Sequence, residues 1–404
     1  MDEGFTLPGR HYTDPQLFQQ EIERIFLSMW VHAGRCEEIP NPGRYVTREI
    51  GGESLIILNG GRGSGIGGQE QNRDQGSGIR DQEQNEGNIR AFFNVCRHRG
   101  TRLCTDPEGE LQRVIKCPYH AWTYDLTGRL VAASLMPDGF NKDDYPLHPV
   151  PAATWDGHIF VNLSQSSRPL EDQLADLPAK FAPWRMDELR LMRRITYDVA
   201  ANWKLIILNF NECLHCPVIH PILNRLTNYL GADNEQPKPT YIGGTMGFTP
   251  GVETMSTDGR RRRSYLPGLG PRERELVAYY VVYPNLLLSL HPDYMLTHTI
   301  WPMAPDRTRI VCEWHFHPDQ IAAPDFEASD VVEFWDTTNR EDWAITERAQ
   351  LGIRKGPEGG SCPRTAQPGA RAKTRVTGVP LRARSGARSR PPARGALLFM
   401  RTGR

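Results

Sequence analysis

The 404-residue sequence has no run of about 18 apolar residues, so nothing in it reads as a transmembrane helix and no membrane partner is expected. Its first residues, Met1-Asp2-Glu3-Gly4-Phe5, lack the basic start and apolar stretch of a secretory leader. Eight cysteines are too few for a disulfide scaffold, and their clustering beside histidines points to metal binding in a reducing compartment. The expected location is the cytoplasm. No Gly-x-Gly-x-x-Gly fingerprint joins a strand-like run to a helix-like one, so no dinucleotide site is expected here. Net charge is also missing, but only by cancellation. Residues 357–404 carry ten Arg and Lys373 against Glu358 alone, whereas the rest of the chain carries 37 basic and 47 acidic side chains. The total therefore carries no argument for nucleic acid, and no nucleic-acid partner is expected.

With 39% hydrophobic and 24% charged residues, the chain has an ordinary globular composition and is long enough for two domains. Residues 14–30 place Leu17, Phe18, Ile22, Ile25 and Phe26 at helical spacing behind a Thr13 or Asp14 cap and Pro15. Short β-like runs follow at 44–50, 54–58, 90–94, 112–116, 121–124 and 158–162, as in a small antiparallel domain. Between the second and third lies a near-duplicate, GSGIGGQEQN at 63–72 and GSGIRDQEQN at 76–85, too polar to bury a face and read as an expanded hairpin loop. Beyond residue 170 the pattern is mixed. Residues 200–216 and 329–353 read as helices, and 279–283, 285–290, 294–301 and 310–316 as strands. The Arg260–Arg263 run reads as a solvated turn or as a dock for an acidic electron donor. Residues 357–404 lack Ile, Asn, His, Tyr and Trp, and read as disordered or as the product of a frameshift near 352–359.

Two Cys-His pairs, Cys96-Arg-His98 and Cys117-Pro-Tyr-His120, are separated by 18 residues. Each pair fits one hairpin loop, so two loops can close on one inorganic core with two thiolates on one iron and two imidazoles on the other. A zinc site uses similar ligands, but zinc fingers place a Cys pair before a separate His pair. Cys104 falls outside both pairs and reads as a small packing residue. A second group lies in 202–220, NWKLIILNFNECLHCPVIH. Glu212 and His215 share a helical face, and Pro217 turns the chain so that His220 can join His215. One further carboxylate would complete a two-His-one-carboxylate set, which leaves open positions on ferrous iron. Cys213 and Cys216 offer a rival thiolate pair, but no second thiol pair lies nearby, and they read as packing residues.

Cys96-Arg-His-Arg-Gly100 and Cys117-Pro-Tyr-His-Ala-Trp-Thr-Tyr124 resemble the two ligand boxes of Rieske non-haem iron oxygenases, and 202–220 resembles the mononuclear-iron motif of their large (α) subunits. The resemblance runs from about Pro8 to Gly352 outside the duplicated loop. It implies a [2Fe–2S] cluster on Cys96, His98, Cys117 and His120, and a mononuclear Fe(II) on His215 and His220. Asn339-Arg-Glu-Asp342-Trp-Ala-Ile-Thr-Glu347 resembles the family's carboxylate helix, which makes Asp342 the third ligand over Asp336, Glu341 and Glu347. Glu212 would bridge His215 to the cluster ligand His120 of a neighbouring subunit, with Asn209 as a supporting group. The implied fold is α+β: an N-terminal helical segment (1–39) packing on the catalytic domain, a small antiparallel β Rieske domain (40–155, with 60–88 as the duplicated loop), and a helix-grip catalytic domain with an antiparallel sheet (156–356). A homotrimer is implied, supplied with NAD(P)H electrons through a separate flavin reductase or ferredoxin. Tyr283-Pro-Asn-Leu-Leu-Leu-Ser-Leu-His-Pro-Asp-Tyr294 and Phe334-Trp-Asp-Thr-Thr-Asn339 are similar to the glycine betaine, choline and carnitine type, which acts on quaternary ammonium compounds; the reaction expected here is hydroxylation of an N-methyl group, as of glycine betaine, with loss of formaldehyde. Tyr279, Tyr280, Tyr283, Tyr294, Trp301 and Trp314 are candidates to face a trimethylammonium group through their rings. The alternatives are an aromatic-ring hydroxylating (di)oxygenase and a Rieske electron carrier without oxygenase activity.

Overall fold

The computed structural model describes residues 7–61, 88–164 and 168–354. The readings of the duplicated segment and of 357–404 therefore fall outside the described residues. Contacts gather the chain into two units, one made of residues up to Ile22 together with Gln173 onward, the other of Glu23–Asp172. The sequence placed these divisions at 39/40 and 155/156. The shift has a local cause: Val31–Arg35 and Ala152–Trp155 are strands on either side of His158–Val161, which ties both flanks to the Cys-His unit.

In that unit, Arg44–Ile50 and Glu53–Asn59 form a hairpin that turns at Gly51-Gly52, both at positive φ. Ile89–Phe93 pairs antiparallel with Glu53–Asn59, with Leu58 opposite Arg90. These strands belong to a five-stranded sheet with Glu108–Glu110 and Pro149–Val150 at its edges. A smaller sheet of Val114–Lys116, Thr123–Asp125 and Leu130–Ala132 carries the second Cys-His loop. Their shared core includes Ile56, Leu58, Phe92, Ile115, Trp122 and Tyr124, together with Cys96, Cys104 and Cys117.

The other unit is a seven-stranded antiparallel sheet in the order Arg190–Val199, Arg307–Phe316, Met295–Ala304, Leu286–Leu290, Leu276–Val282, Tyr241–Phe248, Thr227–Asn234. Leu286–Leu290 is buried at every position, because the sheet is covered on both faces. One face meets the Leu177–Phe181 helix through Phe181 and Tyr280, and the other meets the 26-residue Ser329–Arg354 helix. That helix buries Val331, Phe334, Trp335, Asn339, Trp343 and Gln350, a stripe at three- and four-residue spacing, each large apolar member contributing about 1.5–3 kcal/mol. Three of the seven strands (Arg190–Val199, Thr227–Asn234 and Tyr241–Phe248) carry polar or Gly-rich text and were not read from sequence.

The Trp203–Phe210 helix is locked in place at its start. Asn202 caps it by accepting from Lys204 N, its own N–H donates to Gln350, and its amide donates to Pro305 O. Lys204 is fully buried and paired with Glu21 at 2.5–2.7 Å, while Trp203 Nε1 donates to the same carboxylate. Burial pushes the Glu21 carboxyl up and the Lys204 amine down, each opposed by its partner's charge. Removing one partner strands the other in the core. Glu21→Ala should therefore cost about 3–5 kcal/mol of this unit's stability in denaturant unfolding; a loss under about 1 kcal/mol would show that Lys204 finds other solvation.

Candidate metal centres

The two Cys-His loops are copies of one turn. Cys96 N donates to Thr101 O and Gly100 N donates back to Cys96 O; Cys117 N donates to Trp122 O and Ala121 N donates to Cys117 O. The fifth residue of each loop, Gly100 or Ala121, sits at positive φ (71° and 58°), which lets the chain reverse around the side chains it presents. Both thiols are free and buried. The His98 and His120 rings lie 4.7 Å apart at 77°, with His98 stacked on Trp122. Tyr124 Oη accepts from Arg97 N and lies 3.4 Å from Cys96 Sγ. Burial pushes the Cys96 thiol up, with the Tyr124 hydrogen bond opposing it. His98 Nδ1 is enclosed with no hydrogen-bond partner. Two buried thiols and two imidazoles, one with an orphaned buried nitrogen, form a donor set of the kind a [2Fe–2S] cluster takes.

The second group forms where the helix breaks. The sequence predicts helix through 216, yet helix stops at Phe210 and a single turn resumes at Cys216–Ile219. The Glu212 side chain accepts from Leu214 N and so competes with the helical bond, and Pro217 suits the first turn of the new helix. Cys213 and Cys216, read as packing residues, are joined by a disulfide across this break. His215 and His220 thus flank the short helix rather than sharing a face of a long one, and their rings lie 5.1 Å apart.

Asp342 comes from the Ser329–Arg354 helix. Its Oδ1 lies 3.2 Å from His215 Nε2 and 2.9 Å from His220 Nε2. One ligand atom from each of His215, His220 and Asp342 lies within 4.8 Å of the others. The competing acids lie elsewhere: Asp336 accepts from Tyr197 Oη, Glu347 from Ala200 N, and Glu341 lies on His220 Nδ1. Glu212 Oε1 is 2.8 Å from His215 Nδ1, and Asn209 Nδ2 is 3.4 Å from His215 Nε2. Burial would depress both imidazoles, but the hydrogen bonds and charges of Asp342 and the outer carboxylates outweigh it, raising His220 and bringing His215 to about 9. Burial likewise pushes Asp342 up, and the two imidazoles outweigh it and hold it below its usual range.

The aromatic candidates separate by strand parity. Tyr279, Ser289, Leu296 and Trp314 form one cross-strand row on the side facing the Ser329–Arg354 helix. Tyr279 packs there against Phe210 and Trp335. Tyr280 and Trp301 fall on the opposite side. Tyr280 packs on Phe181 and bonds Glu235, and Trp301 pairs with Arg309, so both leave the candidate wall. Tyr294 is buried behind it, stacked on His291 and bonded to Met255 O and Trp335 Nε1. Tyr283 lies just past the end of Leu276–Val282, its carbonyl held by Gln173. Phe210, His298 and Trp335 were missed, although Trp335, Asn339, Asp342 and Trp343 form a readable helical stripe. In the Arg260–Arg263 run, Arg263 is buried on Asp293 and Asp330 and Arg262 pairs with Asp258 and Asp330, so half the run serves the fold.

Residues 29–141 match the Rieske [2Fe-2S] domain, and 186–375 match the ring hydroxylating alpha subunit (catalytic domain). The glycine betaine monooxygenase oxygenase subunit of Chromohalobacter salexigens is 30% identical over 403 residues, covering 93% of this chain and 83% of that protein. The chain belongs to the Rieske oxygenase family. The carnitine monooxygenase oxygenase subunit of Escherichia coli (strain K12) is 37% identical over 223 residues, 54% of this chain and 53% of that protein. The crystal structure of the quaternary ammonium Rieske monooxygenase CntA shares the fold, with TM-score 0.71 at 23% identity over 89% of this chain and 88% of that one. As a Rieske oxygenase subunit, the chain is an O2-dependent oxidoreductase with a [2Fe–2S] cluster and a mononuclear iron, supplied by a separate reductase. Among the described residues, no helix is long and apolar enough to cross a membrane.

The raised His215 gives a pH signature. A proton held up to about pH 9 must leave before a divalent metal binds, so Fe(II) affinity of the iron-depleted chain should rise with pH. Calorimetry in buffers of different ionisation heat should show proton release that persists between about pH 6.5 and 8.5 and shrinks only as pH rises through about 9. An affinity independent of pH over that range would contradict the assignment.

Proposed function

We propose that this chain oxidises an N-methyl group of a small quaternary ammonium compound, with glycine betaine as the first substrate to try. The observation that carries the reading is an aromatic row that ends on Trp335, two turns before Asp342 on the same face of the Ser329–Arg354 helix. Phe210, next in sequence to Asn209, packs 6.1 Å from Tyr279, which packs 6.2 Å from Trp335. A trimethylammonium group offers no N–H to donate, so ring faces are its natural partners, at about 0.5–2 kcal/mol each. The named activities of the relatives, on glycine betaine and carnitine, support this choice.

In this reading Cys96, His98, Cys117 and His120 hold the cluster, and His215, His220 and Asp342 hold the iron. Together these groups supply single electrons and O2 activation when bound. The residues then have distinct tasks. Phe210, Tyr279 and Trp335 orient the ammonium and exclude water. Asn209 borders the side of His215 that faces Asp342. Glu212 keeps the His215 Nδ1 proton and links that ring to His120 of a neighbouring subunit. Surface chemistry on each unit supports the link: Tyr119 (61% exposed) stands beside His120, and Leu214 and Val218 (53% and 81% exposed) flank His215. A solved quaternary ammonium Rieske monooxygenase is described with inter-subunit electron transfer, which supports the same route. A homotrimer fed by a flavin-containing NAD(P)H reductase or ferredoxin completes the proposal.

The oxidised N-methyl carbon is a carbinolamine that collapses to formaldehyde and a demethylated amine. Turnover with glycine betaine, a reductase, NAD(P)H and O2 should release formaldehyde in step with dimethylglycine. A cis-dihydrodiol from an arene, without formaldehyde from any betaine, would overturn the proposal.

A further inference from the structure

Glu341 precedes Asp342 on the Ser329–Arg354 helix, about 100° around its axis. The His220 ring lies across both side chains, with Nε2 2.9 Å from Asp342 Oδ1 and Nδ1 2.7 Å from Glu341 Oε2. His215 repeats the arrangement with another residue, its Nδ1 on Glu212 and its Nε2 toward the same Asp342 oxygen. Each imidazole therefore has its own outer carboxylate, and the two share an inner one.

A neutral imidazole has one proton and two places for it. On Nε2, that proton would be donated to Asp342, and the nitrogen and the carboxylate oxygen would satisfy each other. On Nδ1 it is donated to Glu341, and the Nε2 lone pair and Asp342 Oδ1 both face the same point. A hydrogen bond to a charged acceptor is the stronger kind and also fixes the plane of the ring. We propose that Glu341 is a positioning residue that holds the His220 proton on Nδ1 and so keeps the inner face of His220 and Asp342 open to a ferrous ion. The inference rests on His215, His220 and Asp342 as iron ligands and gives Glu341, an acid that competed with Asp342 for the third ligand place, a separate task.

The test is metal binding rather than turnover. Full-length chain depleted of mononuclear iron is titrated anaerobically with Fe(II), and separately with Co(II), and the EPR spectrum of the reduced cluster monitors integrity. Glu341→Leu and Glu341→Ala should bind either metal roughly 10- to 100-fold more weakly, with an altered Co(II) ligand-field spectrum and an unchanged cluster signal. Glu341→Gln, whose amide oxygen still accepts from Nδ1, should recover most of that loss. His220→Ala should lose binding altogether. Leu and Ala variants that bind like the parent, with His220→Ala lost, would overturn the inference alone. A His220→Ala variant that binds like the parent would overturn the ligand assignment and the inference with it.

Discussion

One carboxylate oxygen organises the catalytic unit. Asp342 Oδ1 stands between two Nε2 atoms that face it, and an outer carboxylate sits behind each ring. The carboxylates around the two imidazoles favour positive charge on them, which is why burial fails to depress their pKa values. A divalent cation answers the same need with its charge at one point, and every group around that point is already turned toward it. The chemistry of the donor set and the electrostatics around Asp342 thus ask for the same ligand.

Holding that oxygen in place is a long-range problem, since His220 and Asp342 are 122 residues apart in sequence. Six strands of the seven-stranded sheet lie between them in the chain, and the sheet supplies a rigid floor for the Ser329–Arg354 helix. Two further ties fix the histidine side. Asn202 and Ala200 bond Gln350 and Glu347 near the end of the long helix, and Lys204 is held by Glu21 from the first residues of the chain. The N-terminal segment therefore contributes to the metal site at a distance, by fixing where the Trp203–Phe210 helix begins.

What could be read from the sequence follows from which features are local. The Cys-His pairs are short loops whose geometry depends on neighbouring residues, so Cys96-Arg-His98 and Cys117-Pro-Tyr-His120 were legible as a unit. Strands such as Arg44–Ile50 and Arg307–Phe316 announced themselves through β-branched and apolar text. The turn at Pro217 was legible, but the earlier break after Phe210 was not, because it depends on the Glu212 side chain capturing Leu214 N. Nor was Glu341's place, since adjacent helix positions ordinarily point apart, and only a ring laid across both brings them to one partner. Tyr280 and Trp301 were misjudged for a simpler reason. Being aromatic and in a strand does not say which face a side chain takes, and parity against Tyr279 and His298 was needed to decide it.

Two metal centres of different kinds sit in one chain. Iron and acid-labile sulfide analysis of the purified protein, with EPR of the reduced state, tests it most directly. About three irons and about two sulfides per chain are expected, falling to about two irons when His215 and His220 are replaced together, with the cluster signal intact. About two irons in the parent chain, unchanged by that replacement, would contradict it.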